Sequence, residues 1–541
     1  MQKRAIAVLL LVVMAPMAGL GIPVASAERP PADDPAQPSP AEVEGASTTE
    51  TVAGTIAATP ASALRPATAP QSASDAAAAN VAAQRERMAD GVRPGPSTGP
   101  APSAPAVLPP ETAIGALSEV ASVTKNYRNT TAQSVSNTLA EPAAANDGRD
   151  VIYSGNTYVS RSTNSGASWV QEAIPAGPAD ATIACCDPEV VYSPTTDTTF
   201  NIMLYTNAAQ TNGVVRIFVR NGLNSSVDCT YDIDPAGTAD NVLPDYPHLA
   251  LSNNFLYLSL NNLSNGSWTG AEMRRFNLSQ MSSCQSTSFN TFNHVGSAGQ
   301  RIQVSAEGAT TVMYWGSLDN TTTFRAFSWP ESSTSVSEVT RTITASAFAN
   351  PDCRGGTGDF DFVERATAWS IAGFRLRGAT GGGRVTFLWP SSPVGGATQA
   401  HLRGVSLNTS DLSIFAQPVV FNNSICFSYP ALGSNAFADL GLSLAAGGQA
   451  GGGGSAAQGY IAVDDSESAG IFFPSLTLTA SGTHNRSDGR FGDYFTVRRN
   501  SRCANTWVAT NYALDGGNTS SSHVNARYIE FQTTDDTTCP K

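Results

Sequence analysis

The stretch STNSGASW, residues 162–169, is the part of this sequence that decides the fold. The short polar side chains of Ser162 and Asn164 can cap a turn backbone, and Gly166 can take the positive φ that other residues avoid. Trp169 then supplies an aromatic ring that can fix the turn onto a sheet. The pattern therefore indicates a tight turn of a β-sheet protein. The alternative is an ordinary Asn-Ser-Gly turn in any β-hairpin.

A looser pattern repeats along the chain after Ala113. Each copy has a short apolar run, a polar turn, and a second run rich in aromatic or β-branched residues. The copies start at Glu141, Asp187, Asp245, Gln300, Tyr429 and Asp493. The long interval before Tyr429 has room for one more unit, for which residues 359–374 are the weakest candidate. Units of about 60 residues favour an all-β fold, a six- or seven-bladed β-propeller. A β-sandwich with ordinary hairpins is the alternative.

Both ends of this region supply a further strand. Residues 527–531 have the sequence RYIEF, which is typical of a final strand, and residues 120–127 form a second candidate. Pairing of the two in one blade would close the ring and remove a free sheet edge.

The opening turn resembles the Asp box of sialidase-like proteins, S-x-D-x-G-x-T-W, with Asn164 in the Asp position. A second, degraded copy contains Ser317, Asp319 and Phe324, and has Thr321 in the glycine position. The chain thus resembles a divergent member of the sialidase-like β-propeller superfamily. In that family the box lies between the third and fourth strands of a blade, far from the axis. It is therefore evidence for the fold and not for catalysis.

The resemblance also implies an enzyme that cleaves terminal sialic acids from glycans. Such enzymes bind the substrate carboxylate with three arginines, use a Tyr activated by a Glu as nucleophile, and use an Asp as acid/base. Their first arginine sits in an F/Y-R-I-P motif. The nearest string here, QRIQ at residues 300–303, lacks the aromatic residue and the proline. The role of that arginine is therefore not transferred to Arg301.

Propellers bind ligands where their innermost strands converge, so the polar residues at the start of each repeat are candidate binding residues. They are Asp187, Glu189, Asp245, His248, Arg301, Asp493 and Tyr494, with Glu141, Tyr246, Asp359 and Asp361 beside them. Such a ring could hold a sugar, a cation or a peptide. Paired carboxylates could also catalyse hydrolysis if their environments split their pKa values. The alternative is that each acidic residue caps a turn. No catalytic residue is assigned.

Charge and motifs exclude several classes of protein. A net charge of −13 with only three lysines argues against a nucleic-acid partner. The sequence has no G-x-S-x-G elbow and no H-E-x-x-H motif, and its five histidines are dispersed. No metal and no cofactor is predicted.

The N-terminal region predicts export. Residues 1–27 combine a basic start, an apolar run and an Ala-Ser-Ala cleavage site, which predicts a signal peptide cut near Ala27. Residues 28–112 are rich in Ala, Pro and Ser and predict a disordered spacer. Residues 113–541 form the predicted propeller. No later stretch is long and apolar enough to span a membrane, so we expect a secreted, periplasmic or cell-surface monomer.

All eight cysteines lie beyond the predicted signal peptide, and an even number in an exported chain predicts disulfides. Bonding between the neighbours Cys185 and Cys186 would need a strained geometry. Each is therefore expected to pair with a distant cysteine or to stay buried. The connectivity stays open.

The sequence therefore predicts an exported sialidase-like propeller that acts as a non-catalytic binding module for a glycan or an extracellular protein. The alternative is a divergent glycoside hydrolase of the same architecture, and a polysaccharide lyase is a third candidate. Three guanidinium groups converging in the channel beside a Tyr–Glu contact would favour the enzyme.

Overall fold

A computed structural model describes the protein in sixteen segments. They are residues 22–23, 25–26, 46–66, 120–132, 139–222, 226–234, 241–265, 267–294, 304–348, 352–355, 361–363, 376–464, 473, 475–486, 491–516 and 523–533. Nearly all regular structure in these segments is β-strand. The helices described are the short α1 (Leu278–Ser282) and a 3-10 turn at Ala61–Ala63. None of the described helices has the length and apolar character needed to cross a membrane.

Six strands precede the main body of the protein. They are β1 (Ile22–Pro23), β2 (Ala25–Ser26), β3 (Ser47–Glu50), β4 (Val52–Ile56), β5 (Thr59–Pro60) and β6 (Ser122–Arg128).

The next strands form four successive antiparallel sheets, which we call blades 1 to 4. Blade 1 contains β7 (Ala143–Asp147), β8 (Asp150–Gly155), β9 (Tyr158–Ser162) and β10 (Val170–Glu172). Blade 2 contains β11 (Ile183–Ser193), β12 (Thr198–Thr206), β13 (Gly213–Asn221) and β14 (Cys229–Ile233). Blade 3 contains β15 (Val242–Leu251), β16 (Phe255–Ser264), β17 (Ser267–Asn277) and β18 (Thr287–His294). Blade 4 contains β19 (Val304–Glu307), β20 (Val312–Asn320), β21 (Thr323–Pro330) and β22 (Ser335–Thr342).

Three more blades follow. Blade 5 contains β23 (Arg377–Gly381), β24 (Arg384–Ser391), β25 (His401–Asn408), β26 (Ile414–Ala416) and β27 (Val419–Phe421). Blade 6 contains β28 (Cys426–Ser434), β29 (Leu440–Gly447), β30 (Gln458–Asp464) and β31 (Ser475–Ala480). Blade 7 contains β32 (Val497–Arg499), β33 (Thr506–Asn511) and β34 (Arg527–Gln532).

The blades form a closed ring. The first strand of each blade contacts the first strand of the next, from blade 1 through blade 7 and back to blade 1. Blades 4 and 5 are joined further by a short parallel pairing of β19 with β23. The fourth strand of blade 7 is β6, which pairs antiparallel with β34. The described residues thus form a seven-bladed propeller closed by strands from both ends, as the sequence predicts. The extra inner strand is β23, later in the chain than residues 359–374.

The strands β1 to β5 form a belt around the outside of this ring, although β1 and β2 lie within the predicted signal peptide and would be removed by cleavage near Ala27. They pair with the outer strands β31, β27, β22, β18 and β14, and so pass blades 6, 5, 4, 3 and 2 in that order. A bridge between Pro66 and Pro175 continues the belt to blade 1. Residues 46–66 therefore depart from the predicted disordered spacer. They need no core of their own, because the outer strands offer unpaired backbone groups to an extended chain.

The hydrophobic core lies between neighbouring blades. Trp507 of blade 7 is fully buried and stacks on Phe531 with ring centroids 5.1 Å apart. Its other face packs against Gly441 of blade 6, where an added Cβ would lie 2.8 Å from the ring. Aromatic rings thus fill the wedges between blades and leave the axis to polar residues.

The turn at residues 162–169 connects β9 and β10, the third and fourth strands of blade 1. The Ser162 hydroxyl oxygen accepts hydrogen bonds from the backbone N–H of Asn164 at 3.3 Å and of Gly166 at 2.8 Å. Gly166 has a φ of 88°, which only glycine adopts easily. The ring of Trp169 lies edge-on to Tyr528 of blade 7 at 5.9 Å. The turn therefore links blade 1 to the closing blade.

The second motif is not in an equivalent place. Ser317 and Asp319 lie on β20 and Phe324 lies on β21, so the motif spans the second and third strands of blade 4. Asp319 accepts a hydrogen bond from Arg325 at 2.6 Å and caps no turn. Phe324 is buried and stacks on Trp389 of blade 5. This corrects the expectation of a second box: without a glycine, the segment forms a two-residue hairpin.

Disulfides hold the blades together. Cys229 in β14 of blade 2 bonds Cys284, which follows α1 in blade 3. A second bond joins Cys353 to Cys426 at the start of blade 6. Cys503 is also disulfide-bonded.

The neighbours Cys185 and Cys186 bond each other, contrary to the sequence expectation. Pairing of β11 with β12 is irregular on both sides of Cys186, and Asp187 has a φ of 55°. Because this part of β11 is not a regular strand, the two adjacent side chains can meet.

Candidate functional site

Four inner strands share a local irregularity, which lies within β11, β15 and β28 and just before β7. Glu141, Asp187, Tyr246 and Tyr429 have φ values of 41°, 55°, 53° and 56°, and each directly precedes a proline. At Asp187, Tyr246 and Tyr429, the pairing register between the first and second strands of the blade shifts. Bulges of this kind re-aim side chains, and we call the region around these four positions the mouth.

Three carboxylates converge at the mouth. Glu141, Asp187 and Asp493 belong to blades 1, 2 and 7, are buried, and have carboxylate oxygens within 4.8 Å of one another. Asn156 joins two of them: its Nδ2 donates to Glu141 Oε2 at 2.8 Å, and its Oδ1 accepts from the Asp187 backbone N–H at 2.9 Å. The Tyr246 backbone N–H donates to Asp187 Oδ2 at 3.0 Å. This mouth cluster could contact one cation or several hydroxyl groups.

Deeper in the channel, a charged network joins five blades. Its members are Glu189, His248, Glu307, Arg377 and Arg498. Arg377 Nη1 lies 2.8 Å from His248 Nε2, and because a guanidinium can only donate, Nε2 is the acceptor. His248 therefore carries its proton on Nδ1 and donates it to Glu189 Oε1 at 2.7 Å. Burial, and next the charge of Arg377, lower the pKa of His248 to about 3, so the ring is neutral.

Arg498 connects the two glutamates of this network. Its Nη1 donates to Glu307 Oε1 at 2.5 Å and its Nη2 donates to Glu189 Oε2. Burial favours the neutral form of Glu189, but the charge of Arg498 and the His248 hydrogen bond outweigh it and lower the pKa. Burial raises the pKa of Glu307 to about 7, against the opposing charge of Arg498. One carboxylate is thus held ionised, while the other titrates near neutrality.

Two tyrosines separate the network from the mouth cluster. The guanidinium of Arg377 lies over the rings of Tyr246 and Tyr494, 5.3 Å and 4.7 Å from their centroids. The Tyr494 hydroxyl donates to the Pro188 carbonyl at 2.7 Å, and the Tyr246 hydroxyl accepts from Arg377 at 3.0 Å. In these hydrogen bonds, neither hydroxyl has a glutamate partner.

The channel beside the network is nearly filled. A small cavity is lined by Glu189, His248, Ser305, Glu307, Arg377 and Arg498, together with apolar residues of blades 6 and 7. It has room for about one water molecule. A sugar ring does not fit there.

The structure brings together Asp187, Glu189, His248, Asp493 and Tyr494 from the predicted site. Asp245 is fully buried in β15 opposite Asn261, and its neighbour Tyr246 takes the bulge position instead. Arg301 and Asp359 lie outside the described residues.

Three residues of the network were not predicted. Glu307 precedes Gly308, a pair that is typical of a turn, and it is the last residue of β19. Arg377 begins β23, the inner strand that the repeat pattern did not locate. Phe495 and Val497 are two residues apart, so Arg498 lies on the opposite face of the strand. This period of two is the sequence signal that Arg498 faces the channel.

Glu307 is expected to make the protein less stable as the pH rises from 4.5 to about 7. Over this range the folded state keeps the Glu307 proton while the unfolded chain has lost it, so unfolding is favoured with rising pH. Glu307→Gln should remove this effect, and the variant's free energy of unfolding relative to wild type should rise by up to about 3 kcal/mol between pH 4.5 and 8. Urea unfolding at several pH values measures it. The slope from His248 is common to both proteins and cancels, so a pH-independent difference would contradict the prediction.

No protein-family profile matches the sequence, and no curated protein sequence matches it. Solved structures do match it. A Trypanosoma rangeli sialidase in complex with 2,3-difluorosialic acid is 9% identical over 57% of this chain and 51% of its own, with a TM-score of 0.33. The polysaccharide lyase Uly1 is 11% identical over 73% and 90%, with a TM-score of 0.37. A Penicillium chrysogenum α-L-arabinanase complexed with arabinobiose is 9% identical over 76% and 98%, with a TM-score of 0.36.

This chain therefore spans about half the length of the sialidase that it matches. At these TM-scores the likenesses carry no argument, and the propeller architecture rests on the strand order of the sheets and on the closed ring of blades. Likeness at this level carries no information about activity.

Proposed function

We propose that this protein is an exported propeller that binds a glycan or an extracellular protein at the channel mouth without cleaving it. The mouth cluster supports the binding role, because carboxylates at the converging ends of inner strands can accept hydrogen bonds from sugar hydroxyls or from ammonium groups. The disulfides support an oxidising location, which fits the predicted signal peptide.

The observation that carries the non-catalytic role is the engagement of the channel arginines by side chains of the protein itself. Arg498 is paired with both Glu189 and Glu307, and Arg377 donates to His248 and Tyr246. A sialoside carboxylate needs guanidinium groups whose forked donors are available to it. Among the described residues, Arg377 Nη2 is the donor of these two guanidiniums left without a hydrogen-bond partner, which is less than the fork that a carboxylate needs.

The test pairs a glycan array with a fluorogenic sialoside assay on the intact exported protein. We expect binding on the array and no release of fluorophore above the rate in buffer. Asp493→Asn, at the mouth, should weaken array binding at least about tenfold, the cost of one charge-assisted hydrogen bond. Asp319→Asn, which alters a salt bridge on blade 4 away from the channel, is the matched control and should bind as wild type does.

Two outcomes would count against this proposal. Fluorophore release that disappears in a Tyr494→Phe variant would establish an enzyme. Equal loss of binding in both aspartate variants would place the ligand elsewhere.

A glycoside hydrolase is the second candidate, and one observation favours it. Glu189 and Glu307 share Arg498, and their pKa values move in opposite directions, as a general base and a general acid require. Release of reducing sugar from a polysaccharide panel, lost in Glu307→Gln, would favour this candidate. The small volume of the channel cavity argues against it.

A further inference from the structure

One donor of the channel network has no hydrogen-bond partner among the described residues. Arg377 Nη2 is buried, and the nearest carboxylate oxygen, Glu189 Oε1, is 4.0 Å away. The side chain of Arg377 is 8% exposed, so bulk water does not satisfy this group. Buried guanidinium N–H groups almost always have an acceptor. The cavity that Arg377 lines is the space in which an acceptor could lie.

The charges around the cavity define what that acceptor should be. The channel network contributes two guanidiniums, the ionised Glu189, the neutral His248, and Glu307. With Glu307 protonated, the network carries one net positive charge, and with Glu307 ionised it carries none. A buried net charge is costly unless it is paired.

Other titratable groups face the network from one side. On that side lie Tyr246, Tyr494 and the mouth cluster of Glu141, Asp187 and Asp493. The two tyrosine rings, with Arg377 stacked over both, stand between the mouth carboxylates and the cavity. On the opposite side, blade 6 contributes the uncharged Ala431 and Leu432 to the lining. The lining on this side adds no negative charge that would repel an anion in the cavity.

We propose that this cavity binds one small monovalent anion of the size of chloride, held by Arg377 Nη2 and neutralised by the network. The hydroxyl of Ser305 lines the same cavity, and its hydrogen bond among the described residues goes to the weak acceptor Met273 Sδ at 3.6 Å, so it can turn and donate to the ion. This site is separate from the mouth, and its existence does not depend on the ligand that binds there.

Binding of the anion is coupled to the proton on Glu307. The protonated glutamic acid leaves one positive charge for the anion to neutralise, whereas the ionised form neutralises that charge itself. Because the pKa of Glu307 is about 7, the protonated fraction falls roughly tenfold between pH 6 and pH 8. The apparent Kd for chloride should rise by the same factor.

Chloride-35 NMR line broadening of the intact protein tests the proposal directly. We expect excess broadening at pH 6 that bromide displaces, and an apparent Kd about tenfold weaker at pH 8. Glu307→Gln mimics the protonated acid and should bind chloride equally at both pH values. Arg377→Lys keeps the charge but removes Nη2, and should abolish the excess broadening.

Bromide diffraction covers the case in which Arg377→Lys fails to fold. Crystals of the wild-type protein grown with bromide at pH 6 should show an anomalous peak within hydrogen-bond distance of Arg377 Nη2. A wild-type channel without that peak overturns the proposal. So does chloride binding that persists in a folded Arg377→Lys variant, or a wild-type Kd that is the same at pH 6 and pH 8.

Discussion

A chain that begins at residue 133, and so lacks β6, is expected to lose its closed ring and its cooperative unfolding. β6 satisfies the outer edge of β34 over its whole length, and Lys125 forms a 2.7 Å salt bridge with Glu530 of that strand. Ala121, next to β6, is buried in the core between blades. Without β6, blade 7 has three strands and an open edge, which favours intermolecular pairing. Near-UV circular dichroism and urea unfolding should show a broad transition or none.

The matched control is a chain that begins at residue 67. It loses the belt but keeps β6, and should retain a sharp transition with a Tm lowered by about 10 °C or less. Equal loss of structure in both truncated chains would assign closure to the belt instead. A cooperative transition in the chain that begins at 133 would mean that six blades and a three-stranded blade 7 suffice.

Glu189→Ala should have the largest effect of any single substitution in the channel. Glu189 is 2% exposed and pairs with Arg498 and His248. Its removal takes away a negative charge that compensates the buried positive charges of Arg377 and Arg498. Breaking one partner of a buried ion pair costs about 3–5 kcal/mol, mostly because the other charge stays buried. Urea unfolding at pH 7 measures this loss in the free energy of unfolding.

Glu189→Gln separates charge from shape. It keeps the volume and one hydrogen-bond acceptor, and should lose less stability than Glu189→Ala. A loss below about 1 kcal/mol for Glu189→Ala, as for an exposed ion pair, would show that water reaches the network and screens it.

The ring of blades could be predicted from sequence because its signals are local. In blades 1, 2, 3 and 6 a proline follows a positive-φ residue that lies in or just before the inner strand. The pairing of β6 with β34 could also be predicted, because it covers the sheet edge that the last blade of a propeller would otherwise leave open. Blade 5 was misplaced because its inner strand starts with Arg377 and has no such signal.

The charged network could be predicted only in part. Glu189 and His248 lie two residues after a bulge, so their alternation places them in the channel. Arg377, Arg498 and Glu307 come from blades far apart in sequence, and their convergence depends on the curvature of the ring. The vicinal disulfide was missed for a different reason: steric rules for regular strands do not hold where β11 bulges.

The belt and β6 both depend on strands made much later than themselves. Ser47 of the belt pairs with Glu338, and Ser122 of β6 pairs with Gln532. The entropy of closing loops of several hundred residues grows only slowly with length, about 0.6 kcal/mol for each doubling, so the final structure tolerates these pairings. The same pairings lower the folding rate, because a high contact order slows folding. β6 stays unpaired until β34 exists, so the ring can be completed only after residue 532 has been synthesised.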